Sequence, residues 1–153
     1  MGLIKRSPAR IVLDKDLKIP IKSNVLRDTN KFTTIIFYNK LNKKKINTLK
    51  KNNVKLFKIS VDEDNNLDLY EALIKAKNIG FNRVLIESGK KLTTNFLNKN
   101  LVDDLIIFDS NQKLQKNGKD NTKHMIKLFI KNKKKNQEKV NLFGEKMIIY
   151  KNK

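Results

Sequence analysis

Cysteine is absent from the 153 residues, which excludes disulfides, cysteine-ligated zinc, iron–sulfur clusters and thiol chemistry. The single histidine, His124, lies in a polar stretch that reads as surface, so no nucleophile–base pair and no zinc cluster can be assembled. No apolar run approaches the ~18–20 residues of a membrane span. No basic-then-apolar leader marks a signal peptide, and a cytoplasmic protein is the expectation. Arginine is scarce too. Only Arg6, Arg10, Arg27 and Arg83 stand among 35 basic residues, against 15 acids, for a net charge of +20. Arginine supplies the planar fork that reads bases and grips phosphates, whereas lysine supplies a solvated point charge. Lysine, asparagine and isoleucine are abundant together, the footprint of an A/T-rich coding sequence, so much of the charge reads as drift over solvated faces. The alternative reading of +20 is a Lys-rich nucleic-acid-binding module. The runs Lys43–Lys45 and Lys133–Lys135 lack the interleaved aromatics that stack bases, which counts against nucleic acid as a partner.

What is present is an apolar fraction of 39%, spread along the chain, enough for one globular domain burying about 68–70% of its unfolded surface. Arg10–Asp14 is a short apolar run bracketed by Pro8 and Pro20, and reads as a buried strand. Thr33–Tyr38 and Val54–Ile59 are further strands, with a lysine-rich helix between Asn39 and Asn53 carrying a narrow inward stripe of Leu41, Ile46 and Leu49. Asp62–Asn66 is a loop, with Asn65 or Asn66 a candidate N-cap. The next helix sets Leu67, Leu69, Tyr70, Leu73, Ile74 and Ala76 on one face, and Gly80 sits where a C′ glycine belongs. Asn82–Glu87 reads as another buried strand, Leu92–Leu97 as part of a helix, and Asp104–Phe108 as a strand. Ser110–Lys123 is a long polar loop and Met125–Ile130 is ambiguous between strand and helix. Lys131–Lys139 is a charge run, and Val140–Tyr150 reads as a hairpin turning at Gly144-Glu145. The expected fold is α/β: a three-layer, mostly parallel sheet with a C-terminal antiparallel hairpin, in a single domain spanning 1–153.

One place can carry chemistry. In Val84-Leu-Ile-Glu87-Ser-Gly89-Lys-Lys-Leu92 a strand leads through a tight turn into a helix, and at the end of a parallel strand the free N–H groups and dipole of that helix favour an anion. Gly89 lets a phosphate approach without a Cβ in the way. Lys90 and Lys91 add charge, Thr93 and Thr94 offer hydroxyls, and Glu87 can accept a hydrogen bond from a hydroxyl-bearing group. On spacing alone the same residues also read as a helix capped by Ser88, with a solvated glutamate and lysines belonging to the general excess. Other candidates are weaker. Asp103-Asp104 reads as solvation or capping before a strand, and Asp62, Glu63 and Asp64 lack the spacing and glycine of a calcium loop.

Three segments, in order, resemble a known family. Arg6-Ser-Pro-Ala-Arg10-Ile-Val-Leu-Asp14-Lys-Asp-Leu-Lys-Ile-Pro20, Glu87-Ser-Gly89-Lys-Lys-Leu92-Thr-Thr-Asn95-Phe-Leu97 and Leu101-Val-Asp-Asp-Leu105 resemble segments of the reductase domain of bifunctional riboflavin-biosynthesis deaminase/reductases. The resemblance implies a dihydrofolate-reductase-like fold and NADPH-dependent reduction of 5-amino-6-(5-phosphoribosylamino)uracil to its ribitylamino product. It implies a substrate contact at Glu87 and cofactor contacts at Lys15 and at Gly89, Lys90, Lys91, Leu92, Thr93, Thr94 and Asn95; no catalytic residue and no metal are assigned. The family's Pro-Thr is Lys90-Lys91 here, and the Gly-rich pattern after Phe108 is reduced to Lys113-Leu114. The cysteine-dependent deaminase domain is not in this chain. The resemblance also implies that the reductase domain is incomplete, that its beginning belongs to another part of the same protein, that this chain alone is inactive, and that the protein forms a homodimer.

Overall fold

The computed structural model describes residues 7–109, 123–131, 133–139 and 146–152. The chain divides into two compact units, residues 1–82 and 83–153.

The first unit is built on β2 (Thr34–Tyr38), all five of whose residues are buried. A β-branched and aromatic run covered on both faces belongs at the centre of a parallel sheet. β1 (Arg10–Leu13) and β3 (Lys55–Lys58) flank it, both parallel to it, in the order β1-β2-β3. α1 (Lys43–Lys51) connects β2 to β3. It lays Leu49 and Ile46 on one face of the sheet, against Ile36, Tyr38, Val54 and Leu56. α2 (Leu69–Asn78) lays Ala72 and Ala76 against Ile35, Phe37 and Ile59 on the opposite face. Alternating β2 residues therefore feed two cores, and the unit has the expected three layers. β3, an edge, carries exposed Lys55 and Lys58, charges that discourage further strand pairing.

α2 corrects two expectations. Its N-cap is Asp68, whose Oδ1 accepts from the N–H groups of Tyr70 (2.8 Å) and Glu71 (3.1 Å), not Asn65 or Asn66. Asn65 is held in the turn with φ 56°, and Asn66 donates its N–H to Asp62 Oδ1, so both are spent on the loop. Tyr70 and Ile74 also point outward, 64% and 44% exposed, and the inner positions are taken by Leu69, Ala72 and Ala76. Gly80 is at C′ as expected. Its φ of +102° lets its N–H reach the Lys77 carbonyl while Phe81 N–H reaches Ala76, closing the helix in a Schellman turn.

The second unit contains α3 (Lys90–Asn98), β4 (Asp104–Asp109), α4 (Lys123–Ile130), β5 (Lys134–Lys139) and β6 (Lys146–Lys151). β6 lies between β4 and β5 and is antiparallel to both. The hairpin expected at the end is present, but its first arm is β5, drawn from the charge run; residues 140–145, with the expected turn at Gly144-Glu145, lie outside the described residues. As an edge strand β5 tolerates lysine, since it pairs on one side only, with β6, and Lys134 and Lys135 are exposed. The ambiguous segment Met125–Ile130 is helical and belongs to α4, which also carries exposed His124.

The strand expected at Asn82–Glu87 does not form: no strand among the described residues pairs with it, and Val84 and Leu85 are 41% and 76% exposed. An apolar β-branched run becomes a strand only where a neighbour accepts its backbone hydrogen bonds. Among the described residues no helix is long and apolar enough to cross a membrane.

Candidate functional site

α1 and α2 both begin under side-chain caps: Asn42 accepts from Lys45 N–H at 3.0 Å, and Asp68 from two first-turn donors. α3 begins differently. Its N-cap is Gly89, which has no side chain to accept from the N–H groups of Lys91 and Leu92, and Ser88 does not take that role from one residue earlier. Gly89 is not required by the backbone, because φ −68° and ψ 171° suit any residue. Nor is it required by packing, because an added Cβ would meet nothing within 4 Å. The missing side chain therefore leaves open both space and donors at the helix start.

That start lies in an open concavity of about 740 Å³, lined by Ser88, Gly89, Lys90, Lys91, Leu92, Thr94 and Asn95. Lys90 and Lys91 are exposed there, while Leu92, Thr94 and Asn95 are half-buried. Two ammonium groups and the positive end of a helix on one wall suit an anion, each charge contributing roughly 0.3–1 kcal/mol in an exposed setting. Thr93 alone in the run from 88 to 95 is not part of the lining. Its hydroxyl is turned back to Ser88, donating to the Ser88 carbonyl at 3.1 Å and lying 3.0 Å from the Ser88 hydroxyl.

Residues 3–109 match the family described as the RibD C-terminal domain. The chain belongs to that family. The Riboflavin biosynthesis protein RibD of Aquifex aeolicus (strain VF5) is 26% identical over 146 residues, covering 95% of this chain and 39% of that protein. Two structures of Acinetobacter baumannii RibD, form 1 and form 2, superpose with TM-score 0.62 at 17% identity, over 94% of this chain and 37% of theirs. A pyrimidine reductase-like protein from Corynebacterium diphtheriae superposes with TM-score 0.63 at 13% identity, over 94% of this chain and 60% of its own. The chain thus spans about two fifths of the RibD proteins it matches, and shares their dihydrofolate-reductase-like fold.

Within this RibD C-terminal domain the residues singled out from the sequence fall into three groups. Gly89, Lys90, Lys91, Leu92, Thr94 and Asn95 share the concavity. Glu87 is exposed one residue before its rim, at the end of an irregular segment rather than of a strand. Lys15 lies in the first unit, just past the carboxyl end of β1, where ligands of parallel sheets gather. Its ammonium donates to the Asn65 carbonyl at 2.7 Å, and its own carbonyl accepts from Asn39 and Lys40 N–H. Sequence reasoning missed Asn39 at the end of β2, whose carboxamide donates to the Ile59 carbonyl at 2.9 Å and ties two strand ends together. No group of three or more metal-binding side chains occurs among the described residues.

Proposed function

We propose that this chain carries the cofactor-phosphate wall of a pyrimidine reductase of riboflavin biosynthesis, which reduces 5-amino-6-(5-phosphoribosylamino)uracil to the ribitylamino compound with NADPH. The observation that carries the reading is the uncapped first turn of α3 inside a concavity lined by Lys90 and Lys91. The residues fit a dinucleotide phosphate: backbone N–H donors left free, no Cβ at Gly89, and two cations beside it. Leu92, Thr94 and Asn95 complete that wall with one apolar and two polar surfaces. Glu87, exposed beside it, offers a carboxylate to a hydroxyl of the substrate sugar. NADPH, when bound, supplies the hydride, and the protein's part is to hold and orient.

The reductase domain is completed, in this reading, by a further part of the same protein, as in the longer relatives. The outer edge of β1 supports this. Arg10 and Asp14 direct their N–H groups to Thr33 and Phe37 on the β2 side. Strand alternation turns the N–H groups of Ile11 and Leu13 the other way, where no strand pairs among the described residues. Unlike β3, this edge carries no lysine.

The test is titration with NADPH followed by its fluorescence or by calorimetry, on residues 1–153 and on the same residues joined to the upstream part of a RibD relative. Saturable binding that NADP+ displaces is the expected result. Absence of binding in both forms refutes the proposal.

A further inference from the structure

We infer that Thr93 is a positioning residue: with Ser88 it forms a hydroxyl staple that holds the uncapped start of α3 in its anion-receiving geometry. The inference rests on the phosphate reading of that concavity and goes beyond it in assigning Thr93 to the brace.

Gly89 is the N-cap, so Ser88 is N′ and Thr93 is N4. These are the two positions that an apolar pair ordinarily occupies to fix the angle at which a chain enters a helix. Here two hydroxyls occupy them. Thr93 Oγ1 has one proton and gives it to the Ser88 carbonyl at 3.1 Å. The 3.0 Å contact between the hydroxyls is then donated by Ser88 Oγ to Thr93 Oγ1. A helical threonine can also bond back to the carbonyl four residues earlier, as Thr48 of α1 does to Lys44 at 3.0 Å. Thr93 instead reaches five residues back, past the helix end, while its own N–H keeps the helical bond to Gly89 at 3.2 Å.

The consequence concerns the peptide between Ser88 and Gly89. A side-chain cap would fix the turn by occupying first-turn donors. The staple fixes it from the other side, through the Ser88 carbonyl and hydroxyl, and leaves those donors unclaimed. Thr93 does this without lining the concavity.

Four variants measured for NADPH affinity and thermal midpoint decide the matter. Thr93→Val keeps the shape but removes both bonds, and should weaken NADPH binding about tenfold. Ser88→Ala removes one bond and should cost about threefold. Thr93→Ser keeps the hydroxyl and should restore binding to within about twofold of the parent. The double variant Ser88→Ala/Thr93→Val should be no worse than Thr93→Val, because both substitutions break one unit. A lowered midpoint with unchanged affinity in Thr93→Val overturns the inference, as does additivity in the double variant. A parent protein that binds no NADPH overturns the phosphate reading itself, an outcome distinct from a parent that binds and a Thr93→Val that binds equally.

Discussion

Gly89→Asp should stabilise the fold and weaken the ligand at once, and the opposition of signs is what makes it informative. Position 89 already has the extended backbone of an N-cap, and a Cβ there meets nothing within 4 Å. An aspartate can therefore do in α3 what Asp68 does in α2, accepting from the N–H groups of the second and third helical residues. Exchanging glycine for a good cap gains a few tenths of a kcal/mol. A carboxylate at the positive end of the helix adds roughly 0.3–1 kcal/mol, with Lys90 and Lys91 beside it. The sum, about 0.5–1.5 kcal/mol, corresponds to a rise of about 1–6 °C in thermal midpoint for a chain of this length. The same carboxylate occupies the donors a phosphate would use and repels it. Losing one charged hydrogen bond is worth about 1.5–3 kcal/mol, so NADPH affinity should fall roughly ten- to hundredfold. Thermal unfolding and NADPH fluorescence titration on the same preparation measure both. A raised midpoint with undiminished affinity would falsify the placement of a phosphate on the first turn of α3. Gly89→Ala is the companion: alanine caps poorly, so it should lower both quantities.

Replacing Lys90 and Lys91 together by alanine should weaken NADPH about three- to thirtyfold, and more strongly at low salt, since both groups are exposed. An affinity independent of these lysines at low salt would remove them from the site. Gly80→Ala, at φ +102°, should destabilise by about 1–2 kcal/mol in urea unfolding, and a neutral result would contradict the Schellman closure of α2. Asp16 should titrate below its ordinary value of 3.8, held down first by the hydrogen bond from Lys18 and then by the charges of Lys18, Lys15 and Lys40. A carboxylate whose folded pKa is depressed contributes stability that is present above its ordinary value and lost as pH falls through the folded one. Lys18→Met should bring the Asp16 midpoint in an NMR titration back toward 3.8, and an unmoved midpoint would rule out the 3.2 Å ion pair as its cause.

The parts of the fold legible in the sequence are those set by local energetics. Thr34–Tyr38 reads as a central strand because burial on both faces demands an unbroken apolar run. Gly80 reads as a helix stop because only a residue free of Cβ strain closes the Schellman turn cheaply. Pairing is not local, and there the reading fails. Val84–Ile86 has strand composition but no partner among the described residues, while Lys134–Lys139 has poor strand composition and a partner in β6. The α2 cap is ambiguous for a related reason: Asn65, Asn66 and Asp68 all have capping side chains, and only the turn around Val61 and Leu67 decides which is spent elsewhere. The concavity was legible because turn and helix start are contiguous in the chain. The Ser88–Thr93 staple was not, because the N′ and N4 positions are ordinarily recognised by apolar residues.

Charge, the loudest feature of the composition, discriminates least between candidate sites. α1 opens on Lys43 and Lys44 as α3 opens on Lys90 and Lys91, and in both the lysines oppose the helix dipole. Positive side chains at a helix start therefore cannot mark a phosphate site here, and a chain with 31 lysines offers them widely. The two helices differ in their caps: Asn42 closes the start of α1, and Gly89 leaves that of α3 open. If the open cap is the functional element, Asn42→Gly should cost α1 a few tenths of a kcal/mol and leave NADPH binding unchanged. The wall of the site is then defined by an absent side chain and a hydroxyl staple, with the lysines strengthening a preference that the backbone has already set.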